Sequence, residues 1–430
     1  MNTFRTSPPD IHHINSLNFE HVEAIVLNNG IRCYRMPNRE LGVTKLDVLW
    51  PFGTREQENK YVARTSLALA LSGTDKLTAE QINEEFEYQG TSYGHETQML
   101  QSVLHLKCKK SAFLSSFSFF LENYNSAIYP DNEIVNYAQI EKAGLMRKMQ
   151  TPGYWAHRLC FESLFEKDSP MASFADSSDI ALLKKAHLIA FHEQFLSLQN
   201  ATYILSGETG DDIFNEVKMQ LEALPRPKFE GNPNSIHEDY TPILGVTISK
   251  HMEHSHQVSL YMGMPFGPIS ETEIHQFALL NMLLGGFFGS RLMQEIREEK
   301  GLTYGIGSYI TQSNTGNVWC ISGEMNAQNV DLAREAILNI LTGLSSHPPM
   351  GDELEKAKRY YSGQLRSSFD GPFALPGKIK NMLVRGYSYQ YYDSALDTIW
   401  KTSSDDLCQI AYNYLKPDSF NTVLAGDIRE

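Results

Sequence analysis

The chain has 430 residues, 42% of them apolar and 20% charged, a composition that excludes a disordered polypeptide and allows two to three domains at roughly 100–200 residues each. Lysine and arginine number 37 against 51 aspartates and glutamates, and the net charge of −14 leaves no electrostatic hold on nucleic acid or an anionic membrane surface. The five cysteines (Cys33, Cys108, Cys160, Cys320 and Cys408) are odd in number and never spaced C-x-x-C, which argues against a disulfide framework and against a cysteine zinc site.

Residues 1–21, with Pro8, Pro9, His12 and His13, read as a tail without the apolar stretch of a signal peptide. No run approaches the ~18 apolar residues of a membrane span. The expectation is a soluble, cytoplasmic protein, or a periplasmic one if a signal peptide has been removed. From residue 22 the pattern predicts strands at Ala24 to Leu27, Arg32 to Arg35 and Thr44 to Trp50. Helices follow at Tyr61 to Leu71 and Ala79 to Tyr88, a strand at Ser92 to Lys107, and helices at Leu114 to Ile128 and Ile134 to Met149. A first unit ends near 223. Residues 224–240 (LPRPKFEGNPNSIHEDY) hold three prolines and few large apolar residues and read as a linker to a second unit, 241–430. That unit opens with strands at Thr247 to Ser249 and Val258 to Met262, followed by helices at Ile274 to Leu284 and Ser290 to Lys300. Strands at Thr303 to Ile310 and Asn317 to Met325 precede helices at Val330 to Leu344 and Asp352 to Phe369.

The two units repeat one another. Pro51-Phe52-Gly53 recurs as Pro265-Phe266-Gly267, and Glu141-Lys142-Ala143 as Glu355-Lys356-Ala357, both 214 residues later. EFEYQGTSY (Glu85 to Tyr93) parallels IREEKGLTY (Ile296 to Tyr304), and each unit closes on a short apolar strand, Tyr203 to Gly207 and Val423 to Gly426. Such order at near-constant offset implies an internal duplication. Strand clusters interleaved with helix clusters predict an α+β fold of two homologous domains, each a largely antiparallel sheet with helices packed on one face.

The stretch GGFFGSRLMQEIREEKGLTYGIGSY (Gly285 to Tyr309) resembles the C-terminal signature of the pitrilysin/insulinase family of zinc peptidases, which includes the mitochondrial processing peptidase subunits and the core proteins of respiratory complex III. HLIAFHEQFLSLQNATYILSG (His187 to Gly207) is similar to the family's segment that ends the N-terminal unit. The resemblance runs from about residue 22 to the end and implies two domains facing each other around a chamber. In the family an H-x-x-E-H helix supplies two zinc ligands and the general base just upstream of a Gly-Thr pair, here Gly73-Thr74. Counting back puts Arg64, Leu67 and Ala68 at the first histidine, the glutamate and the second histidine. The third ligand, a later glutamate, falls on Arg147 or Lys148. None of these binds zinc, and a guanidinium repels it. What the resemblance leaves is an arginine and a tyrosine that in active relatives stabilise the oxyanion; the matching positions are Arg297 and Tyr304.

The family comparison therefore implies a chain that binds no cofactor itself and acts as the zinc-less subunit of a heterodimeric peptidase. It would dimerise with a zinc-bearing subunit of the same family, take an unfolded peptide as substrate, and bind neither nucleic acid nor membrane. A purely structural or peptide-binding role is the alternative from another class. A metal site relocated to His251, His254 and His256, with Glu253 between, is a third. Simpler readings stand beside these. Arg297 could pair with Glu298 or Glu299 on an exposed helix, and Tyr304 could be a core phenol. Gly285, Gly286 and Gly289 lack the spacing and lysine of a phosphate loop. His95 and His105 suit ordinary strand packing, and Tyr387 to Tyr392 suits either a peptide-binding face or a packing patch.

Overall fold

The computed structural model describes residues 13–37, 42–167, 169–228, 242–267, 269–271, 273–313, 316–349 and 351–428. Most of the expected linker, and His12, lie outside them. The first half builds strands β1 (Ile25–Val26), β2 (Arg32–Pro37), β3 (Val43–Trp50), β4 (Ser92–Thr97), β5 (Ser102–Lys109) and β6 (Thr202–Gly207). Its helices are α1 (Val62–Ala68), α2 (Ala79–Tyr88), α3 (Lys110–Asn125), α4 (Asp131–Met149), α5 (Pro152–Leu164), α6 (Ser177–Ala181), α7 (Lys185–Phe195) and α8 (Asp211–Glu222). The second half adds β7 (Thr247–His251), β8 (Val258–Phe266), β9 (Thr303–Ser313), β10 (Gly316–Met325) and β11 (Asn421–Gly426). Its helices are α9 (Ile274–Asn281), α10 (Val330–Ser346), α11 (Asp352–Ser367), α12 (Ala374–Arg385), α13 (Gln390–Asp393), α14 (Ala395–Lys401) and α15 (Ser404–Tyr414).

The strands form two sheets, ordered β1-β2-β6-β3-β5-β4 and β7-β11-β8-β10-β9. Beyond the extra β1 the two orders match strand for strand, and so does the sense: β2 with β6 and β7 with β11 are parallel, every other neighbouring pair antiparallel. The α+β expectation is borne out. The expected strand at 92–107 is instead a hairpin, β4–β5, turned by a Gln98 N–H donating to the Gln101 carbonyl at 2.8 Å. No glycine or proline marks that turn, which is why the alternation reads through it.

Each sheet carries its own helices on one face. The first packs Leu46, Val48 and Trp50 against Leu67, Phe117 and Leu188; the second packs Leu260, Met262 and Trp319 against Phe277, Ile337 and Leu407. One covered face was expected, yet the opposite faces are covered too, each by a helix from the other half. Helix α5 lays Ala156, Cys160, Phe161 and Leu164 on Tyr261, Val318, Cys320 and Val423 of the second sheet. In return α12 lays Ile379 and Val384 on Tyr34, Leu49, Val103 and Ile204 of the first. Gly263 makes the α5 contact possible, since the Cys160 sulfur lies 2.6 Å from where a β-carbon would stand. A charged tie joins the halves as well. Asp47 of β3 is 1% exposed and meets Lys45 at 3.0 Å and Lys380 of α12 at 2.9 Å. Residues 13–22 pack against the second half, with Leu17 in its core.

Candidate functional site

Helix α1 carries the positions at which the zinc motif would stand. It buries Val62, Ala63, Thr65, Ser66 and Leu67. Leu67 is 1% exposed within the first core, so the place of a general base is filled by packed hydrocarbon, while Ala68 is half-buried. Arg64 reaches outward and its guanidinium meets the Glu141 carboxylate of α4 at 3.3 Å. Tyr137, one turn before Glu141, is held well above the usual phenol range by burial first and by the Glu141 carboxylate second. His95 of β4 is held below the usual imidazole range, by burial first and then by His105 and Arg64. Arg147 is exposed in the last turn of α4. The partner of Arg64 is therefore Glu141 of α4, 77 residues on, a contact that no local spacing signals. A cation and a carboxylate now bridge α1 and α4.

The other expected metal cluster is not assembled. His251 lies in β7, its Nδ1 3.2 Å from the Ile428 carbonyl oxygen, and His254 and His256 occupy the turn that follows. Among the described residues no group of three or more histidine, cysteine, aspartate or glutamate side chains could hold a metal ion. This is compatible with a chain that carries no zinc.

Arg297 and Tyr304, by contrast, are brought together. The helix expected at 290–300 is wound wider than an α-helix over Met293–Glu299, with the Lys300 N–H donating to the Glu295 carbonyl five residues back at 3.0 Å. A similar widened turn spans Met282–Gly286. Single π-type turns of this kind recur at functional sites. Gly301 then reverses the chain at φ +61°, a conformation open to glycine, and β9 begins. In the β9–β10 ladder Gly305 faces Glu324 and Thr303 faces Met325, so Tyr304 is an extra, unpaired residue. This β-bulge turns Tyr304 out of the sheet, 86% exposed. The Arg297 guanidinium sits between two rings, 4.8 Å from the centroid of Phe288 and 5.4 Å from that of Tyr304. It also meets Glu298 at 3.3 Å, the pairing of the simpler reading. The core-phenol reading of Tyr304 is corrected by its exposure.

Tyr304 forms one wall of a cleft of about 540 Å³ whose other walls include Ser259, Tyr261, Ser322 and Glu324. Gly153, at the start of α5, closes it from the first half. A guanidinium and a phenol at one rim can donate hydrogen bonds to a carbonyl oxygen that gains negative charge.

Residues 183–361 match the family described as the peptidase M16 inactive domain. The chain is 22% identical over 414 residues to an uncharacterized zinc protease of Rickettsia bellii, covering 93% of this chain and 96% of that one. It is similar in fold to a peptidase M16 inactive domain from Pseudomonas fluorescens (TM-score 0.82, 21% identity, 95% of this chain and 99% of that one). A protease from Helicobacter pylori is similar as well (TM-score 0.81, 19% identity, 94% and 99% covered). The likeness to the zinc-peptidase family read from the sequence is borne out.

Proposed function

We propose that this chain, a relative of the M16 zinc peptidases with no metal-binding motif of its own, is the metal-free subunit of a two-subunit peptidase. Its partner would be a zinc-bearing chain of the same family, and its substrate an unfolded peptide. The observation that carries the reading is Tyr304, bulged into solvent at the lip of a cleft with Arg297 held against its ring. The cation–π contact holds the guanidinium beside a phenol that is free to donate to a ligand. With the scissile carbonyl on the partner's zinc, the two side chains would donate hydrogen bonds to the oxyanion. An extended peptide would add to the open edge of β9, the last strand of its sheet.

The same reading takes 22–223 and 241–430 as homologous domains that arose by duplication, supported by the matching strand order and sense of the two sheets. A cytoplasmic location is supported by five free cysteines, four of them buried, as in a reducing compartment. Among the described residues no helix is long and apolar enough to cross a membrane.

The test is peptide hydrolysis by the chain alone and then mixed with a zinc-bearing relative, with metal content measured on each. Activity is expected in the mixture only, with zinc on the partner. Arg297→Ala or Tyr304→Phe should each lower kcat by ~10²-fold. A mixture whose rate ignores both substitutions would reduce the chain to a structural or peptide-holding role.

A further inference from the structure

The aromatic segment Tyr387 to Tyr392 is occupied by the chain's own beginning. Residues 13–22 carry no helix or strand, and six of these ten side chains are exposed, yet they are tied down at both ends. The Trp400 indole donates to the Ile14 carbonyl at 3.0 Å, and Arg366 Nη1 donates to the Ser16 carbonyl at 2.8 Å. Further on, the Tyr389 hydroxyl accepts from the Val22 N–H at 2.8 Å and donates to the Val22 carbonyl at 2.7 Å. Between these clamps two alternate side chains turn inward. Leu17 is 6% exposed and Phe19 stacks on Phe369 with centroids 4.7 Å apart, whereas His21 stays exposed and lies flat on the Tyr389 ring at 4.2 Å. Asn18 bends the chain between the two apolar anchors at φ +49°, which asparagine tolerates.

These contacts have the form of peptide recognition. Hydrogen bonds to the main chain supply affinity without reading sequence, and alternate side chains drop into apolar sites. The polar tips of Trp400, Arg366 and Tyr389 contact backbone atoms of the segment, so another peptide with the same two anchors satisfies these three. The His13 ring on Trp400 at 4.4 Å and His21 Nε2 at 3.0 Å from Asp393 are contacts of this segment's own side chains. The segment itself is held locally, with most of its surface in water, and such segments open at low free-energy cost.

We propose that the groove of Phe369, Tyr389, Tyr392 and Trp400 is a docking site for an extended peptide bearing an aliphatic and an aromatic side chain two residues apart, and that residues 13–22 fill it in cis. The site lies apart from Arg297 and Tyr304 and does not depend on their role. Tethering makes the segment a strong competitor, since a linked ligand acts at an effective concentration of order mM. A groove closed 99% of the time binds an external peptide about 100-fold more weakly than an open one.

The test uses the full chain and a fluorescent synthetic peptide of residues 13–22, HINSLNFEHV. The double variant Leu17→Ala/Phe19→Ala weakens the tethered segment and leaves the groove intact. It is expected to bind the peptide at least ~10-fold more tightly than the unmodified chain. A peptide with alanine at both anchors should not bind. Absence of binding to the folded variant at ~1 mM peptide, the concentration of the tethered rival, would overturn the proposal. Equal binding to both chains would overturn the cis competition, and a concentration-dependent dimer without peptide binding would assign the groove to a second copy. Should the variant not fold, hydrogen exchange on the unmodified chain decides: excess peptide should speed exchange at the Val22 amide, and unchanged exchange would overturn the proposal.

Discussion

Helix α1, packed beside the edge strand β4, and the start of β9, itself the edge strand of the second sheet, have opposite surroundings. On α1 Leu67 is sealed in the core and Arg64 is bound to Glu141. At β9 a bulge keeps Tyr304 in solvent against the guanidinium of Arg297. The later helices differ in the reverse sense: α4 buries only Ile134 and Leu145, whereas α11, at the matching place in the second half, buries Leu354, Ala357, Lys358, Tyr361 and Ser362. At Leu67 packing fills the space, and at Tyr304 the bulge leaves the side chain in solvent.

Six substitutions break or sharpen this contrast, in falling order of effect. Leu67→Glu places a carboxylate in a closed core and should cost about 3–5 kcal/mol in a urea melt, with no gain of bound zinc. A folded variant of unchanged stability would mean that the motif position is still open. Acid comes next. His192 of α7, its Nδ1 2.6 Å from the Tyr129 hydroxyl, is pushed down to about 4 by burial. A lowered folded value means that the unfolded chain binds the extra proton first, so the contribution is complete above about pH 6.5 and is lost as pH falls towards 4. The change is about 3 kcal/mol over that window. His192→Asn should flatten the pH–stability curve there.

Arg297→Ala and Tyr304→Phe, each expected to lower kcat by ~10²-fold, correspond to about 2.7 kcal/mol of transition-state stabilisation and should leave the melting curve nearly unmoved. A large loss of stability would make the pair structural, on a level with α1. Lys380→Met removes one of two cations from buried Asp47 and should cost about 2 kcal/mol, seen in the same melt as looser packing of α12 on the first sheet. Least of all, Arg64→Ala opens a partly exposed ion pair and should change stability by less than about 1 kcal/mol. A larger drop would make the Arg64–Glu141 bridge the heir of a metal crosslink.

Much of the fold was legible because it is written in local patterns. Helix α2 begins and ends where its periodicity does, with Thr78 and Gln81 forming a reciprocal cap at its start. The repeat of Pro51-Phe52-Gly53 as Pro265-Phe266-Gly267 marked the equivalent strands β3 and β8. The candidate pair Arg297 and Tyr304 was legible as a spacing. Its environment was not, since Phe288 reaches Arg297 from nine residues upstream and the bulge depends on register with β10, twenty residues on.

Residue order alone therefore determined the two-sheet plan, the apolar filling of the motif helix and the absence of ligands from it, because each depends on side-chain type and on neighbours within a few turns. The exchange of α5 and α12 between sheets, the turning-out of Tyr304, the Arg64–Glu141 bridge and the seating of residues 13–22 among aromatic rings of the second half were decided in three dimensions. Each joins groups 20 to nearly 400 residues apart, and such contacts are selected by the packing and pairing of whole elements, which no local pattern encodes.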